Sequence, residues 1–185
     1  ATAMAHKEIK MGEQSFQLLA VAVSGGGYQD EWKSNFSIGN SQHHEGFDQA
    51  AWQVAERIIR YTSAYQLQGA KVWIAGYSRA AATSNRTAAI LLDKKLVDKE
   101  NLFAYTFATP NNTKQKGAEN YPSIFNVVGA FDPVPMVPFA DWGFTRFGQT
   151  FFLPATEINS DYTKRVEPVK QVYYTMTGMD FWSNS

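Results

Sequence analysis

Apolar residues fall along the chain in blocks whose spacing switches between two periods. Phe16 to Val23 is an apolar run too long for simple alternation, and Lys71-Val-Trp-Ile-Ala75, Leu102 to Phe107 and Ile124 to Val128 repeat the pattern. Such runs read as buried strands, and Gln149 to Leu153 and Gln171 to Met176 as further short ones. Between the first two, Phe47, Ala51, Val54, Ile58, Tyr61 and Tyr65 recur at the spacing of one helix face. Glu56 and Arg60 sit outside that face at i, i+4, Asp48 suits the first turn, and Gly69 marks the stop. A second helix runs from Ala80-Ala-Ala82 to Ala88-Ala-Ile-Leu-Leu92. Strand alternating with helix predicts the α/β class, a mostly parallel sheet with helices on both faces. Ligands of such sheets bind beyond the carboxyl ends of the strands. Gly25-Gly-Gly27, Ser78, Thr109-Pro110 and Asp132 each follow a strand-like run, so they share one edge.

The sharpest signal on that edge is Gly76-Tyr-Ser-Arg-Ala80, where the third strand turns into the second helix. A serine on such a turn keeps its hydroxyl exposed, and small residues at 76 and 80 let strand and helix backbones approach closely. The N–H of Arg79 then points, with the helix N-terminus, at an oxyanion formed beside Ser78. A plain tight turn is the other reading. Asp132, in Gly129-Ala-Phe-Asp-Pro-Val-Pro-Met-Val-Pro138, reads either as an acid that orients a histidine or as the start of an Asp-Pro turn. The order serine then aspartate favours the acid. Ser24-Gly-Gly-Gly27 reads as a loop whose N–H groups face a ligand, or as a flexible turn. It lacks the spacing of a nucleotide-binding loop.

Composition narrows the field. With 185 residues, 17 basic and 17 acidic, the chain suits one domain spanning 1–185. That charge balance recruits neither nucleic acid nor an anionic membrane. Zero cysteines exclude disulfides and thiol nucleophiles but fit both a cytosolic and a secreted protein. No stretch approaches the roughly 20 apolar residues of a transmembrane segment, and Ala1 to Lys10 lacks the apolar core of a signal peptide. The absence of an initiator methionine suggests a piece of a longer parent. Asp141, Glu157 and Asp161 are scattered without ligand spacing, so no metal and no cofactor is predicted. Aromatics make up 15 % of the chain and gather late, at Phe139, Trp142, Phe144, Phe147, Phe151, Phe152, Tyr173, Tyr174, Phe181 and Trp182. They read mainly as core, with a lipid-binding surface as the alternative. Thr109 to Pro122, rich in Asn, Lys and Gly, reads as a long surface loop.

From Phe16 to Pro138 the chain resembles the class 3 (fungal-type) lipase family of α/β-hydrolases, including its bacterial lipase-like branch. Val21-Ala-Val-Ser-Gly-Gly-Gly27 followed by Trp32 is similar to the family's apolar strand into F-R-G-[ST] and a later Trp. His44-Glu-Gly-Phe47 matches H-x-G-F, and Gly76-Tyr-Ser-Arg-Ala80 stands for G-H-S-x-G. Phe107-Ala-Thr-Pro110 stands for F-G-[ST]-P, and Asp132-Pro-Val-Pro135 with Pro138 for D-x-V-P-x-x-P. The resemblance implies Ser78 as nucleophile, Asp132 as triad acid, and the backbone N–H groups of Gly26 and Arg79 as oxyanion donors. It implies a lipase or carboxylesterase acting on a small-molecule ester or lipid. Gly26 falls where the family has Ser or Thr, which removes a helping hydroxyl. Beside Ser78, the Arg79 side chain either neutralises an acidic substrate or pairs with a surface carboxylate.

Histidine is the difficulty. His6 precedes the first predicted strand, His43 and His44 precede the first helix, and the triad order requires a base after Asp132. Gly143-Phe-Thr-Arg146 resembles a family G-Y-x-H whose histidine is not the catalytic one. The base is therefore expected beyond residue 185. A non-catalytic α/β-hydrolase-like binding module is the rival reading, and His44 as an unorthodox base a third.

Overall fold

Six strands form one sheet whose spatial order follows the chain: β1 (Thr2–Met11), β2 (Gln14–Val23), β3 (Lys71–Tyr77), β4 (Leu102–Phe107), β5 (Ile124–Gly129) and β6 (Gln149–Leu153). The structure, a computed structural model, describes residues 1–25, 41–129 and 132–153, with 168, 171, 172, 174 and 175. The chain divides into two compact units, Ala1–Val128 with Asp132–Phe152 and Gly129–Phe131 with Leu153–Ser185. The first carries the sheet core.

β1 and β2 make an antiparallel hairpin, in register from Thr2 opposite Val23 to Met11 opposite Gln14. β2, β3, β4 and β5 run parallel. Because each parallel strand lies beside the one before it, right-handed crossovers carry both intervening helices to the same face. These are α1 (Glu45–Ala64) and α2 (Arg79–Asp93), so among the described residues the α-helices cover one face of the sheet where both were expected. Ala51, Val54, Ala55 and Ile58 of α1 and Ala88 to Leu91 of α2 meet Leu19, Val21, Val72, Ile74, Leu102, Ala104 and Ile124 from the strands in one core. Each large aliphatic there contributes roughly 1.5–3 kcal/mol of burial. On β3 the alternation is strict: Val72, Ile74 and Gly76 point into this core, while Trp73 and Tyr77 are exposed on the opposite face. Tyr105 and Phe107 are exposed with them.

Both helices end in the same way. Leu67 N–H bonds Thr62 C=O at 2.9 Å and Gln66 N–H bonds Ser63 C=O at 3.3 Å, with Gln66 at φ 53°. Leu96 to Leu91 and Lys95 to Leu92 repeat the pattern at 2.9 and 3.0 Å, with Lys95 also at φ 53°. These are Schellman caps on non-glycine residues. The first helix thus stops before Gly69, the expected stop, which shapes the following turn instead.

The middle of α2 is the unusual part. From Ala80 to Leu91 every residue is buried, including the polar run Thr83-Ser-Asn-Arg-Thr87. A buried polar group is tolerable only when its hydrogen bonds are made, and here they are. Thr83 and Ser84 donate to the carbonyls of Arg79 and Ala75, Thr87 to that of Thr83, and Arg86 pairs with Asp48 of α1 at 2.6 Å. Asn85, fully buried, makes four bonds. Its Nδ2 donates to Asn126 Oδ1 and Phe147 C=O at 2.8 Å, and its Oδ1 accepts from Asn112 Nδ2 at 2.8 Å and Phe147 N–H at 3.1 Å. Asn126 in turn donates to Phe147 and Gln149 carbonyls and accepts from Thr106, which accepts from Thr109. One amide thereby ties α2 to β5, to the segment after β4 and to the approach to β6.

Three further expectations are corrected. Thr2–Met11 is a strand, so His6 lies within the first strand rather than before it; pairing to β2 decides this, since the segment carries little apolar signal. Thr109 to Thr113 is buried, not a surface loop, because its side chains and backbone complete the polar network. Gln171, Val172, Tyr174 and Thr175 are helical rather than extended, and Thr175 Oγ1 donates to Gln171 C=O at 2.8 Å, one helical turn back.

Replacing Asn85 with leucine, of similar volume, removes four buried hydrogen bonds and leaves Phe147 N–H without its acceptor, while Asn126 Oδ1, Phe147 C=O and Asn112 Nδ2 each keep one partner. Each lost bond costs about 1 kcal/mol and an orphaned buried group about 1–3 kcal/mol, so urea unfolding of Asn85→Leu is expected to show a loss of at least about 3 kcal/mol.

Candidate active site

Ser78 joins β3 to α2 with φ 56° and ψ −127°, a conformation that L residues other than glycine rarely adopt. Such strain costs of order 1–3 kcal/mol and persists only where the surroundings over-determine it. They do so here. Ser78 N–H bonds Phe107 C=O at 2.9 Å, and Ser78 C=O accepts from Ala81 and Ala82 N–H at 2.9 and 3.2 Å. Two residues back, a Cβ added to Gly76 would lie 2.5 Å from both Ala80 O and Ser84 Oγ, so the close strand–helix approach admits glycine only. Ser78 itself is partly exposed. This is the backbone geometry of a strained strand-to-helix elbow.

Asp132 lies beyond the carboxyl end of β5, two strands from β3. Tyr77 is in register with Phe107, and Phe107 with Val127. The ends of β3 and β5 therefore stand level, about 10 Å apart at ordinary strand spacing. Asp132 is partly exposed, and its Oδ1 accepts the Val134 N–H at 2.9 Å. The Asp-Pro turn and the acid are thus not exclusive: the turn fixes the carboxylate through one oxygen. The segment beyond it is pinned by Asn111, whose N–H bonds Val137 C=O at 3.0 Å and whose Nδ2 bonds Pro138 C=O at 2.8 Å. Arg146 adds bonds to Asn111 Oδ1 and Pro135 C=O at 2.8 and 2.6 Å. Burial lowers the Arg146 pKa to about 10.

Arg79 is the first residue of α2, where N–H groups point outward along the helix axis. Its guanidinium lies over the Phe47 ring, 5.6 Å from the centroid. Gly26 and Trp32 lie outside the described residues, as do Tyr173, Phe181 and Trp182; Ser24 and Gly25 close β2 on the same edge. The three histidines have other surroundings. His6 shares a 3.0 Å hydrogen bond with Tyr61 on α1. His43 shares one of 3.0 Å with Thr113, and its pKa is lowered by burial and then by Arg86. His44 is fully buried and stacked on Phe47, with ring centroids 4.0 Å apart, which removes it as a base reaching substrate.

The late aromatics, expected mainly as core, are mostly not: among the described residues only Phe144 and Phe147 are buried, while Phe139, Trp142, Phe151, Phe152 and Tyr174 are exposed. Met136, Val137, Phe139 and Trp142, in the segment following Asp132, are each at least two-fifths exposed, and Phe139 meets Trp142 edge to face at 5.1 Å. Sequence reasoning did not single out Asn85, Asn111, Asn112 or Asn126. For Asn126 the available signal was its place inside the strand-like Ile124 to Val128, whereas Asn85, Asn111 and Asn112 sit in polar stretches that carry none.

Comparison with solved structures shows the fold. The chain is similar to a fungal lipase–inhibitor complex described as a model for interfacial activation, with TM-score 0.64 and 19 % identity over 82 % of this chain and 68 % of that one. For the Rhizomucor miehei triacylglyceride lipase the values are 0.60, 18 %, 88 % and 76 %. For the lipase from Rhizopus microsporus var. chinensis they are 0.61, 17 %, 83 % and 63 %. The chain thus spans roughly two thirds to three quarters of the length of these lipases. No curated protein matches it. The family described as lipase (class 3) matches residues 13–142, which run from the β1–β2 turn through the elbow and past Asp132. By that match the chain belongs to the class 3 lipase family.

Proposed function

We propose that this chain carries the nucleophile and acid of a serine hydrolase that cleaves carboxylic esters of lipids. The observation that carries the reading is the strained backbone of Ser78, held by a glycine contact and three hydrogen bonds within a class 3 lipase match. A tight turn with no chemical task would relax to glycine at that position. Membership of the family's bacterial lipase-like branch is part of this proposal.

In this reading Ser78 Oγ attacks the ester carbonyl carbon while a histidine, supplied from beyond residue 185, takes its proton. Asp132 stabilises the imidazolium through the oxygen its own turn leaves available. The Gly26 and Arg79 amides receive the oxyanion of the tetrahedral intermediate. The intermediate collapses, the imidazolium protonates the departing alcohol, and water releases the acid from the acyl-enzyme by the same two steps. Exposed Met136, Val137, Phe139 and Trp142 beside the acid loop support an apolar substrate. The surroundings of His6, His43 and His44 support a base from outside these residues.

Two measurements test the reading. Incubated with a short-chain p-nitrophenyl ester, the parent protein is expected to turn over and Ser78→Ala to abolish it, while residues 1–185 alone keep only the roughly 10³ to 10⁴-fold acceleration over water that binding and oxyanion donors give. No fluorophosphonate adduct on Ser78 in the parent would favour the binding module instead. Separately, Ser78→Gly relieves the backbone strain while removing the hydroxyl. It is expected to raise the unfolding free energy by about 1 kcal/mol at the cost of all activity, and an equal or lower stability would count against stored strain.

A further inference from the structure

We propose that Arg146 is a positioning residue for the triad acid: it fixes the segment that carries Asp132 by bridging that segment to the one that follows β4. The proposal rests on the assignment of Asp132 above. The backbone on both sides of Arg146 is anchored first. Thr145 exchanges backbone hydrogen bonds with Thr113 at 2.7 and 3.0 Å, and Phe147 N–H bonds the buried Asn85 side chain at 3.1 Å. From that fixed base the planar guanidinium reaches two acceptors at once. Its Nε and Nη2 fork onto Asn111 Oδ1 at 3.2 and 2.8 Å, and Nη2 also donates to Pro135 C=O at 2.6 Å. Pro135 is three residues past Asp132, inside the turn whose Val134 N–H holds the carboxylate. Asn111, itself held by Arg146, secures the far end of the segment at Val137 and Pro138. The chain from the carboxylate to Pro138 is therefore fixed at both ends by one cation and the amide it orients.

Stability alone is a poor reason for this arrangement. The guanidinium is largely withdrawn from water, its acceptors are neutral carbonyls, and Nη1 is buried with no hydrogen-bond partner among the described residues. No carboxylate among the described residues pairs with it, and burying a cation in that way is costly. What arginine supplies and lysine does not is a rigid fork that fixes two loops at once. A carboxylate that must meet an imidazole benefits from that rigidity, since a misplacement of about 1 Å can cost about 100-fold in rate.

The test is a double-mutant cycle in the full-length parent, read as kcat/KM on the p-nitrophenyl ester. Arg146→Met is expected to lower kcat/KM about 10- to 100-fold when Asp132 is present, mainly through kcat, and less than about 3-fold in an Asp132→Asn background. Arg146→Lys keeps the charge and most of the volume, so it serves if Arg146→Met fails to fold; it is expected to give an intermediate loss with the same dependence on Asp132. If the Arg146 and Asp132 effects simply multiply, or if folded Arg146 variants keep the parental kcat, the positioning role is overturned while the acid assignment stands. If Asp132→Asn alone costs nothing, the acid assignment fails and this inference falls with it.

Discussion

One side-chain amide, that of Asn85, holds the parts of this protein that chemistry would need to keep still. An asparagine can make four hydrogen bonds, and Asn85 makes all four while fully buried. In so buried an environment each bond is stronger and each omission costlier. The amide therefore specifies rather than merely stabilises: α2, β5, the segment after β4 and the approach to β6 have one mutual arrangement in which every partner is met. The close approach at Gly76 sets the other end of α2, so the helix is fixed at its start by shape and in its middle by polarity.

That double fixation explains how a strained serine is carried. A helix free to roll or slide would let residue 78 relax into an ordinary conformation. Here the turn before it is bonded to β4 through Phe107, and the helix after it cannot move without breaking buried bonds on α1 and β5. On the other side of β4, the Asp132 segment depends on the same polar interior through Asn111 and Arg146. Serine and aspartate belong to different crossovers, yet both are referred to one rigid interior.

Much of this was legible in the sequence because burial of apolar surface writes itself as periodicity. β2 to β5, both helices and the elbow appear as runs of Val, Ile, Leu, Ala and aromatics with the right spacing, and the glycine and alanine around Ser78 are a local steric necessity. The remainder is written in long-range pairing, which leaves no local trace. β1 is an edge strand, Thr-Ala-Met-Ala-His-Lys-Glu-Ile-Lys-Met, whose backbone pairs with its neighbour β2. Thr83 to Thr87 and Thr109 to Thr113 look like solvent-facing polar stretches, because their partners lie dozens of residues away. The order of residues alone points to Asp132 as the proposed acid, whereas the role proposed for Arg146 could be read only once Pro135 and Asn111 were seen around it.

The strand order has a consequence for biosynthesis. A sheet whose strands stand in the sequence in which they are made can grow at one edge while translation proceeds, with no strand threaded between two already paired. The Asn85 amide sets the moment of completion, because its last acceptor and donor belong to Phe147. Nascent chains shorter than that hold a polar group in a half-built interior. Ribosome-bound intermediates would thus stay loose and chaperone-accessible until the sixth strand begins to emerge, and then tighten together.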